Sequence, residues 1–183
     1  SSTSRGLGDV YKRQPPKLTC KAFRSKLRCI LTCELEPGMD FETVDPADFG
    51  TSLTGIGINL LVRDVQAETR FLTQVFQMQG HRISADFAIM QHQSQLLQLH
   101  SDGTYFSHPL LDLLPENPPR GAGCEIRLYH CDPDQAADKA EHTDGMVLQP
   151  PTDKPHGLRE CYTLCPDGYA WVPSLATVSY THL

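Results

Sequence analysis

The chain has 183 residues, 39% of them hydrophobic, and a formal net charge of −6. That suffices for one domain with a real core, and no apolar run approaches the roughly 18 residues needed to cross a bilayer. Basic residues crowd positions 1–38 while the remainder is acidic, which argues against a nucleic-acid partner for the body of the protein.

The opening SSTSRGLGDVYKRQ and closing VSYTHL are similar to translated sequencing adapters. The expectation is therefore a non-native leader over 1–38, a lead-in arm over 39–56, one domain over 57–174 and a non-native tail over 175–183. A cationic targeting peptide is the rival reading, but the Ile30-Leu31 pair is too short for a signal-peptide core. Cys20, Cys29 and Cys33 lie in the leader. Cys124, Cys131, Cys161 and Cys165 fall on apparent strands instead of in C-x-x-C turns, and are expected as buried small hydrophobes. Without a signal peptide, a reducing cytoplasm is the expected location.

Met39 to Gly50 is acidic and turn-rich. Gly57 to Arg63 has strand chemistry, with Ile58, Leu60 and Val62 on one face and Asn59 and Leu61 on the other. Asp64 is placed to cap a helix running through about Met78, whose stripe is Phe71, Leu72, Val75 and Phe76; Gly80 is expected to end it. Ala85 to Met90 and Gln95 to His100 read as a hairpin. The Pro- and Gly-rich stretch 101–122 reads as a lid or a crossover, with a helical turn between Pro109 and Leu114. The opening order then returns. Cys124 to His130 is a strand with Glu125, Arg127 and Tyr129 on one face, Asp132 is an N-cap, and Pro133 opens a helix bearing Ala136, Ala137 and Ala140. MVLQ from Met146 reads as a strand. Gln149 to Gly157 carries three prolines and reads as a rigid extended arm. The arm delivers a hairpin, His156 to Pro173, folded about Pro166-Asp167-Gly168.

In each half the aliphatic face of the first strand suits the helix that follows. The opposite faces carry Asn59, Gln98, Glu125, Arg127 and Tyr129, with Glu160 from the final hairpin added, and such polar faces over an apolar back suit a small-molecule site. Filled by its own side chains, the same trough would hold Glu125 and Arg127 as a partly solvated ion pair.

Three motifs in order, INLLVRDVQAETRFLTQVFQM, EIRLYHCDPDQAADKA, and PHGLRE followed by CPDGYAWV, resemble the vicinal oxygen chelate superfamily of glyoxalases, bleomycin-resistance proteins and extradiol dioxygenases. The resemblance implies an α+β fold: two βαβββ modules, about 57–100 and 124–173, forming a cupped mixed eight-stranded sheet with helices on the convex side, completed as a homodimer. It also implies four metal-ligand positions, which here hold Gly57, Gln98, Glu125 and Val172. Only Gln98 and Glu125 carry donors, too few for a transition-metal site. The expected function is binding of a small organic molecule without a cofactor, with no nucleic-acid or membrane partner. The alternative is a glyoxalase-type lyase or isomerase. In it Glu125 is the catalytic group and a divalent Zn, Ni, Mn or Fe ion is held with substitute ligands from His100, His130 or His156.

Overall fold

A computed structural model describes residues 39–105 and 109–177; the leader and residues 178–183 of the tail lie outside the described residues. Strand β1, Ile58–Val62, feeds helix α2, Val65–Phe76, through Asp64, whose carboxylate accepts from the Ala67 amide at 2.9 Å. The helix buries Phe71, Leu72, Val75 and Phe76 against Leu60, Val62, Leu97 and Leu99. It ends earlier than Gly80: Gln77 turns left-handed at φ 58°, and the Gln77 and Met78 amides donate back to Thr73 and Leu72. A polar side chain tolerates that conformation when the last turn's carbonyls gain donors. The early stop frees Gln79–His81 to form β2, followed by β3, Phe87–His92, and β4, Gln95–Ser101.

The second module repeats the plan. Strand β5, Glu125–Tyr129, leads through Asp132 into helix α3, Pro133–Glu141, whose first turn donates to the Asp132 carboxylate from Asp134 and Gln135. Ala136, Ala137 and Ala140 are buried, as the spacing predicts. Strands β6, Met146–Asp153, β7, Leu158–Leu164, and β8, Ala170–Ala176, complete it. The strand orders are β1-β4-β3-β2 and β5-β8-β7-β6, the same in both modules: two mixed four-stranded sheets, each hydrogen-bonded within itself. The α+β fold with two βαβββ modules is thus present. Trp171 is fully buried, its ring 5.7 Å from that of Phe76, so the two modules share one core.

Three segments depart from expectation. The lead-in arm contains helix α1, Pro46–Ser52, capped by Asp45 and begun by Pro46 at its first position. The proline-rich arm is itself strand: β6 continues through Pro150 and Pro151. Because β6 is an outer strand with register shifts beside these residues, the missing amide hydrogens are tolerated. Strand β8 runs two residues past Ser174, and the Thr177 amide donates to the Gly157 carbonyl. Among the cysteines, Cys161 and Cys165 are buried and Cys131 half-buried, but Cys124 is exposed because it stands before β5 instead of inside it. Burial pushes the Cys161 thiol up to about 12.

The modules are locked at the β7–β8 turn. Asp167 is 2% exposed and accepts from the Arg63 amide at 2.8 Å and from Arg63 Nε at 2.6 Å. Arg120, 3% exposed on its side chain, lies with Nε 3.8 Å from the same carboxylate and forms two bonds to Asp102 at 2.6 and 2.7 Å. Arg120 Nη1 and the Tyr169 hydroxyl both donate to the Leu61 carbonyl.

Beneath this turn, Glu68 of α2 is fully buried. Desolvation pushes its carboxyl up to about 7; the Cys165 thiol and the Asp167 amide approach it without full hydrogen-bonding geometry, and the Asp167 charge adds to the upward push.

Asp167→Ala strands Arg63 and weakens the hold on Arg120. We expect a loss of about 2–3 kcal/mol, below the usual range for a buried pair because Arg63 is partly solvated. Asp153→Ala, in an exposed pair with Arg159, should cost clearly less; equal urea midpoints for the two variants would contradict this ranking. For Glu68, an unfolded glutamate titrates near 4.5, so between about pH 4.5 and 7 the folded chain holds a proton the unfolded chain has released. The stabilisation from this group is full below 4.5 and lost as pH rises through 7, about 3 kcal/mol in all. Glu68→Gln should therefore gain stability over the parent at pH 8 and not at pH 4.5, and parallel pH profiles for the two proteins would refute the assignment.

Candidate functional site

Strand parity sorts the second sheet into two faces. Ile126, Leu128, Cys161 and Trp171 turn to the helices and the shared core. Glu125, Arg127 and Tyr129 of β5, Glu160 and Tyr162 of β7, and Val172 of β8 turn to the open face, as the pairings Arg127 with Val172 and Glu160 with Ser174 require. There the guanidinium of Arg127 bonds Glu125 at 3.0 Å through Nη1 and Glu160 through Nη2. His156 Nε2 lies 2.9 Å from the same Glu160 oxygen. The Glu160 side chain is only 1% exposed, so its charge depends on these partners. Glu125, Arg127 and Glu160 thus meet in one network.

Beside the network opens a pocket of ≈ 430 Å³. Its floor is Leu148, Tyr162, Leu164 and Ala170, its wall is Pro119 and Gly121–Cys124, and Glu125 stands at its edge. The wall exists because the crossover is tied to the hairpin turn. The Arg120 amide donates to the Asp167 carbonyl at 2.9 Å, and a Cβ on Gly121 would come within 2.7 Å of the Tyr169 backbone. Only glycine allows that approach. The 101–122 stretch is therefore a crossover whose far end becomes a pocket wall, with short 3-10 turns at Asp102–Tyr105 and Leu111–Leu113 on the way.

The first sheet carries the other expected residues. Asn59 pairs with Gln98 across β1 and β4, and Gln98 Oε1 is 3.4 Å from His100 Nε2, whose ring packs on Phe87. The ≈ 430 Å³ pocket is lined by neither Asn59 nor Gln98, nor by Arg127, Tyr129 or Glu160. The Tyr129 side chain is exposed, and its carbonyl accepts from Gln93 at 3.3 Å.

The four positions that would hold a metal do not fit one. Gly57 precedes β1, and the residue opposite Gln98 is Asn59. Glu125 lies opposite Ala170, and Val172 lies opposite Arg127. The charge between Glu125 and Glu160 is already that of a guanidinium. The substitute histidines do not converge either: His100 belongs to the first sheet, His156 serves Glu160, and His130 lines a separate recess with His92 and Gln93. Among the described residues no three His, Cys, Asp or Glu side chains are grouped for a metal.

The Arg63, Asp102, Arg120 and Asp167 cluster, and the pocket floor itself, were not among the expected site residues. Gly121 beside Arg120 and the buried turn aspartate gave no periodic signal, since each acts through a partner distant in sequence.

The chain matches no family model and no curated protein. Solved structures are similar to it. A glyoxalase/bleomycin resistance protein/dioxygenase from Nocardioides shares 19% identity at a TM-score of 0.52, over 75% of this chain and 97% of that one. A family enzyme of the same description from Burkholderia phytofirmans PsJN shares 17% at 0.54, over 66% and 96%. A glyoxalase-related enzyme from Fulvimarina pelagi shares 18% at 0.54, over 67% and 88%. The order of strands and helices and these likenesses agree: the chain has the vicinal oxygen chelate fold of the glyoxalase, bleomycin-resistance and dioxygenase proteins.

Proposed function

We propose that the protein is a binding module that takes a small organic molecule into the pocket on the open face of the second sheet, without a resident metal. The pocket carries this reading: ≈ 430 Å³ is in the range of small-molecule sites, and its apolar floor with one carboxylate at the edge matches their usual chemistry. The glyoxalase-type lyase reading needs Glu125 free to move a proton beside a metal, whereas Glu125 is paired with Arg127 and the described residues around it supply no ligand set. A homodimer belongs to the same proposal, supported by the exposed apolar side chains Leu53, Ile56 and Ile58 beside β1, an outer strand of the first sheet.

Titrating the full chain with 1-naphthalenemethanol, a neutral aromatic probe, should shift the amide resonances of Leu164 and Ala170 saturably, with EDTA present or absent. Ala170→Leu, which fills the pocket floor, should abolish the response. A response that requires an added divalent ion, or one that spares these amides, would overturn the proposal. Sedimentation velocity should return about twice the 20.4 kDa chain mass, and a single-chain mass would remove the dimer.

A further inference from the structure

We infer that the ligand of this pocket is an amphiphile: an apolar, ring-sized body carrying one positively charged nitrogen that the Glu125 carboxylate receives. The inference rests on the binding reading above and adds the ligand's charge. Among the described residues of the pocket lining the only formally charged side chain is Glu125. Its nearest counter-charge, Arg127, is shared: the guanidinium also serves Glu160, whose side chain is 1% exposed and cannot hold its charge unpaired. One cation therefore faces two carboxylates, and the burial of Glu160 claims most of it. His156 adds its ring nitrogen to Glu160 and not to Glu125.

Glu125 engages Arg127 through Oε1 alone, and its second oxygen accepts no hydrogen bond among the described residues. Its side chain is 43% exposed, at the pocket edge, where a charge-assisted bond to a ligand ammonium is geometrically open. The other nearby cation, Lys154, sits over the Tyr162 ring at 5.4 Å from its centroid and is not part of the lining. Of the four floor residues only Tyr162 carries a polar side-chain atom, its single hydroxyl, and Leu148, Leu164 and Ala170 carry none, so the body of the ligand is largely apolar.

The test uses three probes with one ring system and different charge: 1-naphthylmethylamine, 1-naphthalenemethanol and 1-naphthoic acid, each titrated into the full chain at pH 7 and followed by the Leu164 and Ala170 amide shifts. The amine should bind at least tenfold more tightly than the alcohol, and the acid most weakly. In Glu125→Gln the advantage of the amine over the alcohol should vanish, and added salt should shrink it in the parent protein. Equal affinities for the three, a preference for the acid, or an amine preference that survives Glu125→Gln would overturn the charge assignment while leaving the pocket as a binding site. Failure of all three to move these amides would overturn the binding reading and this inference with it.

Discussion

The pocket wall on the open face of the second sheet depends on one turn, built around a buried carboxylate. Asp167 ties the end of β1, through Arg63, to the hairpin of the other module, and its backbone carbonyl holds the crossover at Arg120. A charge at 2% exposure is tolerable only with such partners, so the turn conformation, the module contact and the crossover path are set together. Gly168, at φ 78°, lets the turn lie against Pro119, where a Cβ would meet backbone at 2.5 Å. The pocket wall is thus built by turn chemistry, not by a strand or helix.

In the polar network next to the pocket one cation serves two carboxylates. Two carboxylates on neighbouring parts of a sheet repel unless a cation lies between them, and here the chain supplies that cation from the same strand as one of them. Arg127 makes directional bonds to each partner, and a planar guanidinium suits such a bridging role better than an ammonium would.

Local signals carried much of this fold. The aspartates at 64 and 132 announced their helices because capping is read from a residue and its immediate successors, and the strand faces followed from alternation at Leu60 and Val62 or Ile126 and Leu128. Helix α1 carried the same Asp-Pro signal at 45 and 46 as α3 does at 132 and 133, and it was readable on those terms. Strand β2 was not: three residues, Gln79–His81, are too few to show a period, and pairing with β3 decides them. In the site, Glu125 and Arg127 were placed correctly on one face by strand parity. Glu160 needed the β7–β8 register to assign its face, and the pocket wall needed a contact between Gly121 and Tyr169 that no local pattern encodes.

The path of β6 through Pro150 and Pro151 has a further consequence for how copies of the chain can meet. An outer strand normally presents a row of amide hydrogens that another strand can join, the route to runaway sheet extension. Here two adjacent residues have none to offer, and the pairing with β7 shifts register just before them and again across them. The donor row on the outer edge of the second sheet is thereby interrupted midway, which makes this edge a poor template for strand addition.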